Sequence, residues 1–216
     1  MGATRAVRPR PFGLGWWVVL VTLGGLLSLF APAFGFLLAE RLDTPPWLTY
    51  PTVALAGAVM GLVLGAAQAG ALSGTAVAVP RAGWTLVTTA GAMVAWSVGM
   101  LPVTLEQLGE PLNLASRRVL AASLAGAVVL VTAVPALQWL LLRRVVRKAW
   151  LWIPLTVVAA ATGLGVAWVA RQVMDPATAD GALTGSLAMA AVLALAFALV
   201  TGVGLRWLAG SPRRTN

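Results

Sequence analysis

Long apolar stretches, broken by short polar or proline-containing segments, make up nearly the whole chain. A helix rises ~1.5 Å per residue, so about 20 apolar residues cross the ~30 Å of bilayer hydrocarbon. Six stretches reach that length: 14–38, 52–72, 83–105, 119–142, 150–170 and 182–208. The breaks at 40–51, 73–82, 106–118, 143–149 and 171–181 are short and leave no length for a soluble domain. The pattern predicts an all-α fold: a six-helix transmembrane bundle, one domain over 1–216. Period-two alternation is absent, which argues against a transmembrane barrel.

Composition agrees with this reading. Hydrophobic residues are 60% and charged residues 10%, against about 25% charged in an ordinary soluble domain. The chain has no Cys and no His. That excludes a Cys/His zinc site, a haem held by His or Cys, an iron–sulfur cluster, a His-based catalytic triad and a disulfide framework. No metal and no cofactor is expected.

The charges orient the spans. With the N-terminus in the cytoplasm, Arg5, Arg8, Arg10, Arg81, Arg143, Arg144, Arg147, Lys148, Arg206, Arg213 and Arg214 fall inside, and Arg41, Arg117, Arg118 and Arg171 outside. The positive-inside rule counts Lys and Arg, and eleven of the 15 are inside. All six acids (Glu40, Asp43, Glu106, Glu110, Asp175 and Asp180) fall outside. Both termini are therefore expected in the cytoplasm, with the chain in a bacterial inner or plasma membrane. The net charge of +9 does not imply nucleic acid, because the basic residues sit at membrane borders and meet anionic headgroups. The first apolar run follows three arginines, as in a signal peptide, but it exceeds the usual 7–15 residues and is read as a span.

The spans repeat. The second contains GAVMGLVLGAAQAGAL, the fourth ends AVPALQWLLLRR and the sixth ends VTGVGLRWLAG. Each places a polar residue near its cytoplasmic end: Gln68, Gln138 and Arg206. The returning spans 1 and 3 share Trp, then Thr five and Gly seven residues later (Trp17, Thr22, Gly24; Trp84, Thr89, Gly91). Span 5 has Trp150, Trp152 and Thr156 without the Gly. Spans 2–3 and 4–5 read as two copies of one hairpin, and span 6 with span 1 as a permuted third. The expected arrangement is a pseudo-three-fold bundle, which requires spans 6 and 1 to be neighbours.

Spaced glycines, the Gln138-Trp139-Leu140-Leu141-Leu142-Arg143-Arg144 run, a short basic loop and a Trp-rich return helix resemble a group of hydrophobic bacterial membrane proteins. These occur in cyanobacteria and actinobacteria. The ending Thr201-Gly202-Val203-Gly204-Leu205-Arg206-Trp207-Leu208 resembles the same group. Span 2 departs from it, with Ala69 in place of Trp and Ser73-Gly74 in place of the Arg pair. The resemblance implies fold and membrane location; it carries no activity.

Few residues offer chemistry. Gly57, Gly61 and Gly65 share a helix face, which favours close helix packing; a homodimer face or a wall for a flat ligand is the alternative. Gln68, Gln138 and Arg206 are expected to form a polar ring. Its roles are inter-helix bonding, or, with Arg143 and Arg144 nearby, a site for an anionic headgroup or small polar ligand. Trp16, Trp17, Trp47, Trp84, Trp139, Trp150, Trp152 and Trp207 are assigned to an interfacial belt, and Trp96 and Trp168 to core filling or pocket lining. Pro32, Pro102, Pro135 and Pro154 are potential kinks. No acid lies near a span centre, where ion-coupled transporters usually keep one, and no catalytic set is present. Glu40 and Glu106 are read as solvated.

The expected function is a non-enzymatic membrane component that binds a small ligand or lipid, such as a permease subunit. The alternative is a structural or assembly subunit beside a larger membrane complex. The partners expected are the bilayer, anionic headgroups at the cytoplasmic face and a membrane or cytoplasmic protein.

Overall fold

The computed structural model describes residues 10–173 and 179–210. Arg5, Arg8, Asp175, Arg213 and Arg214, and the side chains of Arg171 and Asp180, lie outside the described residues. The chain forms six long helices: α1 (Leu14–Arg41), α2 (Pro46–Leu72), α3 (Arg81–Gln107), α4 (Arg117–Leu142), α5 (Trp152–Val173) and α6 (Ala179–Ala209). A single 3-10 turn (Ala149–Leu151) leads into α5. All six are long and apolar enough to cross a membrane. Among the described residues there is no strand, only an isolated bridge between Arg10 and Thr75.

The helices outrun the apolar stretches most at the joint between α1 and α2. The break expected at 40–51 shrinks to four residues, because Pro46 opens α2 with a pre-set φ and no donor to waste. Leu42 N–H donates to Leu38 O (3.0 Å), Thr44 N–H and Oγ1 both donate to Ala39 O (3.0 and 2.7 Å), and Asp43 turns the chain at φ 46°. At the next joint Gly74 takes φ 72°, a conformation that carries almost no penalty only for Gly. Here Gly74 O accepts from Arg10 N–H (2.8 Å), and Arg10 O accepts from Ala76 N–H (3.2 Å), which ties the N-terminal segment across the α2–α3 loop.

Each helix packs antiparallel on its chain neighbour, and α6 closes the ring on α1. Small residues set these contacts. A Cβ at Gly61 would come within 2.6 Å of Ala92 Cβ, and one at Gly91 within 2.7 Å of Val134 Cα. Gly25 lies against Ala194, Gly202 against Trp17 and Gly163 against Leu193. Such positions let backbones approach and gain dispersion contacts that lipid tails cannot supply.

The ring is uneven. α2–α3 and α1–α2 are the most extensive pairs, and α4–α5 is the sparsest. The buried core gathers at the end where α2, α4 and α6 finish: Trp17, Leu72, Trp84, Leu142, Trp152 and Leu205 belong to it. We call this the closed end. At the opposite, open end α4 is barely covered. No residue from 117 to 134 is buried, and Ala127, Val128, Val129, Leu130 and Val131 are exposed in succession. On α5, Leu164, Gly165 and Val166 are exposed in succession as well. The described charges divide the same way. Arg10, Arg81, Arg143, Arg144, Arg147, Lys148 and Arg206 lie at the closed end; Glu40, Arg41, Asp43, Glu106, Glu110, Arg117 and Arg118 lie at the open end.

Candidate ligand sites and the buried polar cluster

At the closed end α2 and α4 each carry one glutamine, and both point into the bundle. Gln68 and Gln138 are 1% exposed. Gln138 Nε2 donates to Gln68 Oε1 (2.9 Å) and to Thr88 Oγ1 (2.9 Å). Three tryptophans supply further donors: Trp17 and Trp84, one turn into α1 and α3, and Trp152, which opens α5 after the 3-10 turn. Trp84 Nε1 donates to Gln68 Oε1 (3.0 Å), and Trp152 Nε1 to Gln138 Oε1 (2.9 Å). Trp17 Nε1 donates to Thr201 Oγ1 on α6 (3.2 Å). The rings also touch: Trp152 lies edge-on to Trp17 at 6.4 Å and tilted against Trp84 at 6.2 Å.

The reason for this arrangement is elementary. An amide in low dielectric demands partners, and an indole N–H is a single donor on a large apolar body. Pairing the two buries about the largest side chain available while giving each indole N–H an acceptor. Thr88, Thr156 and Thr201 return their own hydroxyl protons to Trp84 O, Trp152 O and Phe197 O, one turn back. One group stands outside this economy: Thr22 Oγ1 is buried without a partner.

The structure differs from the sequence expectation at three points. Arg206 is exposed, whereas the two glutamines are buried. On α6 the residue that faces the cluster is Thr201, five positions earlier, and the guanidinium stays outward because burying it unpaired would be costly. Trp17, Trp84 and Trp152 are wholly buried, so they are not belt residues. Trp16, Trp47, Trp150 and Trp207 are exposed. Trp96 packs over Gly57 and donates to Met60 Sδ (3.3 Å), whereas Trp168 is exposed rather than in the core. Gly57, Gly61 and Gly65 are covered by α3, through Trp96, Ala92 with Thr89, and Thr88 with Thr85 respectively. Arg143 and Arg144 are exposed, and the Arg143 guanidinium sits 5.2 Å over the Trp139 ring.

Sequence reasoning missed Trp17, Trp84, Trp152, Thr88 and Thr201 as cluster members. A signal was present: a tryptophan 16 and 14 residues after each glutamine, one hairpin turn away. Gln138 uses both amide hydrogens and its oxygen within the protein, so Gln138 itself has no donor to offer a ligand.

Space for a ligand lies elsewhere. A cavity of about 390 Å³ at the open end is lined by Phe36, Glu40, Asp43, Thr49, Met100 and Gln107, among others. One of about 320 Å³ lies between Trp96, Gly99, Met100 and Leu130. A third of about 240 Å³ at the closed end lies between α5 and α6. Among the described residues no group of His, Cys, Asp or Glu could hold a metal ion. Comparison of the chain with protein-family profiles, curated proteins and solved structures gave no match.

Proposed function

We propose that the chain is a non-enzymatic component of the bacterial plasma membrane that binds a lipidic or small apolar ligand through its open end. The observation that carries this is the uncovered half of α4. Five successive exposed residues exceed one helical turn of 3.6, so the helix is not sealed into the ring there, and α4–α5 is the sparsest pair. A ligand entering between α4 and α5 would meet the exposed run from Ala127 to Val131 and that from Leu164 to Val166, above a base locked by the glutamine–tryptophan cluster. The closed end is assigned to the cytoplasm, with both termini, because it carries most of the described basic residues, seven against three at the open end, and none of the described acids.

The same reading includes an internal three-fold repeat of a hairpin: α2–α3, α4–α5 and α6–α1. Its support is the α6–α1 contact and three matching bonds, from Trp84 to Gln68, Trp152 to Gln138 and Trp17 to Thr201. Seven residues after these tryptophans stand Gly91, Ala159 and Gly24, all buried.

A second reading draws on the same bare helix. An assembly subunit would use α4 to pack against a helix of a larger membrane complex. Native mass spectrometry after extraction in mild detergent separates the two. A stoichiometric small molecule or lipid, retained by the wild type and lost in Ala127→Trp, is the expected result. A bound protein without a small ligand establishes the assembly reading. Bare protein in both samples refutes ligand binding.

A further inference from the structure

A second surface, at the opposite end from the α4–α5 opening and independent of it, combines charge with an apolar channel. Lys148 lies in the loop that leaves α4, yet its ammonium sits 5.6 Å over the ring of Trp207, on α6. Below this pair runs the cavity lined by Leu151, Pro154, Leu155, Val158, Trp207 and Leu208. Not one of these side chains is charged. From Leu151 to Val158 the helix advances ~10 Å, so the channel runs from the lysine toward the bilayer centre. Leu155 forms its back wall, seated where Gly204 leaves no side chain on α6. Arg147 adjoins Lys148 in the loop, and none of the described acids lies at this end.

We infer that this is a binding site for one anionic phospholipid of the leaflet facing the closed end. Its phosphate lies on Lys148, and one acyl chain fills the channel between α5 and α6. A stacked ammonium keeps its charge and is held in place by the ring, and basic groups at helix ends hold anionic headgroups. The charge selects the headgroup; the channel selects a chain-bearing molecule over a free phosphate. Both parts are needed for one lipid to bind at a fixed place rather than in a diffuse annulus.

The test is a native mass spectrometry titration of the full chain in mild detergent, with dioleoyl phosphatidylglycerol or dioleoyl phosphatidylcholine as probe. One phosphatidylglycerol should bind about five-fold or more tighter than phosphatidylcholine, the preference that a single basic residue confers. Lys148→Ala should abolish the preference and Lys148→Arg restore it. Val158→Trp, which fills the channel from an exposed position, should weaken both lipids. If that variant does not fold, Pro154→Trp blocks the same channel. Arg118→Ala at the open end should change nothing. Equal binding of the two lipids, no effect of Lys148→Ala, no effect of filling the channel, or displacement by glycerol 3-phosphate at the lipid's own concentration would each overturn the proposal.

Discussion

Replacing Gln138 with leucine isolates what the closed-end cluster contributes. The side chain makes three bonds, and their fates differ once it is gone. Gln68 Oε1 keeps its bond from Trp84, and Thr88 Oγ1 keeps its own bond to Trp84 O. Those two losses are ordinary interhelical hydrogen bonds, ~0.6 kcal/mol each. Trp152 Nε1 has Gln138 Oε1 as its acceptor and is left bare in a site with no exposure, which costs about 1–3 kcal/mol. The sum is about 2–4 kcal/mol. A double-mutant cycle then separates the orphaned donor from loss of packing. Trp152→Phe removes the donor, so in the Gln138→Leu background it should cost about 1–2 kcal/mol less than in the wild type. Equilibrium unfolding in mixed detergent micelles, followed by circular dichroism, measures all four corners. A Gln138→Leu cost below ~0.5 kcal/mol, or an additive cycle, would refute the assignment of Gln138 as sole acceptor.

Other positions make independent predictions. Thr201→Val takes the acceptor from Trp17 Nε1, which is wholly buried, and should cost about 1–3 kcal/mol in the same unfolding assay. Thr22→Val removes a buried hydroxyl without a partner and should be neutral or stabilise by up to ~1 kcal/mol. Gly91→Val drives a side chain into the α4 backbone at Val134 and should lower the unfolding free energy by about 1–3 kcal/mol or more, whereas Gly165→Ala, with open space around it, should stabilise by up to ~1 kcal/mol. The chain has no cysteine, so single cysteines report sidedness: Leu112→Cys should label with an impermeant maleimide in intact cells, and Arg147→Cys only after lysis.

How much of this was legible in the sequence depends on the physical scale of each feature. The six helices follow from hydropathy, because one apolar residue more or less does not change whether a segment of 20 partitions into lipid. The α1–α2 joint was less legible, since Pro46 and Pro51 read as breakers by composition while the backbone uses Pro46 as a helix start. Gln68 and Gln138 stood out as isolated amides in apolar helices. Their tryptophan partners did not, because a tryptophan one turn into a helix satisfies the interfacial pattern equally well from either face. Only the packing decides that Trp16 faces out and Trp17 in, a rotation of ~100° between neighbours. Arg206 was misplaced for a related reason: the matching Trp-Leu pairs aligned it with Gln138, whereas the geometry aligns Thr201 by its bond to Trp17.

Pro135 sits where the two halves of α4 change character, and this gives the proposed opening a mechanical consequence. Below it Gln138 and Leu142 are buried in the core; above it every residue back to 117 is at least partly exposed. Proline has no N–H, so the Val131 carbonyl loses its helical bond one turn away, at the lower end of the exposed run. The helix is thus fixed on one side of its weakest backbone point and unsupported on the other. Motion of the bare half should concentrate there. Pro135→Ala restores the missing bond, and with spin labels on Val128→Cys and Leu164→Cys, double electron–electron resonance should give a narrower distance distribution than the wild-type background. An unchanged distribution would show that α4 moves as one rod, and the opening would then have to be governed by the sparse α4–α5 contact itself.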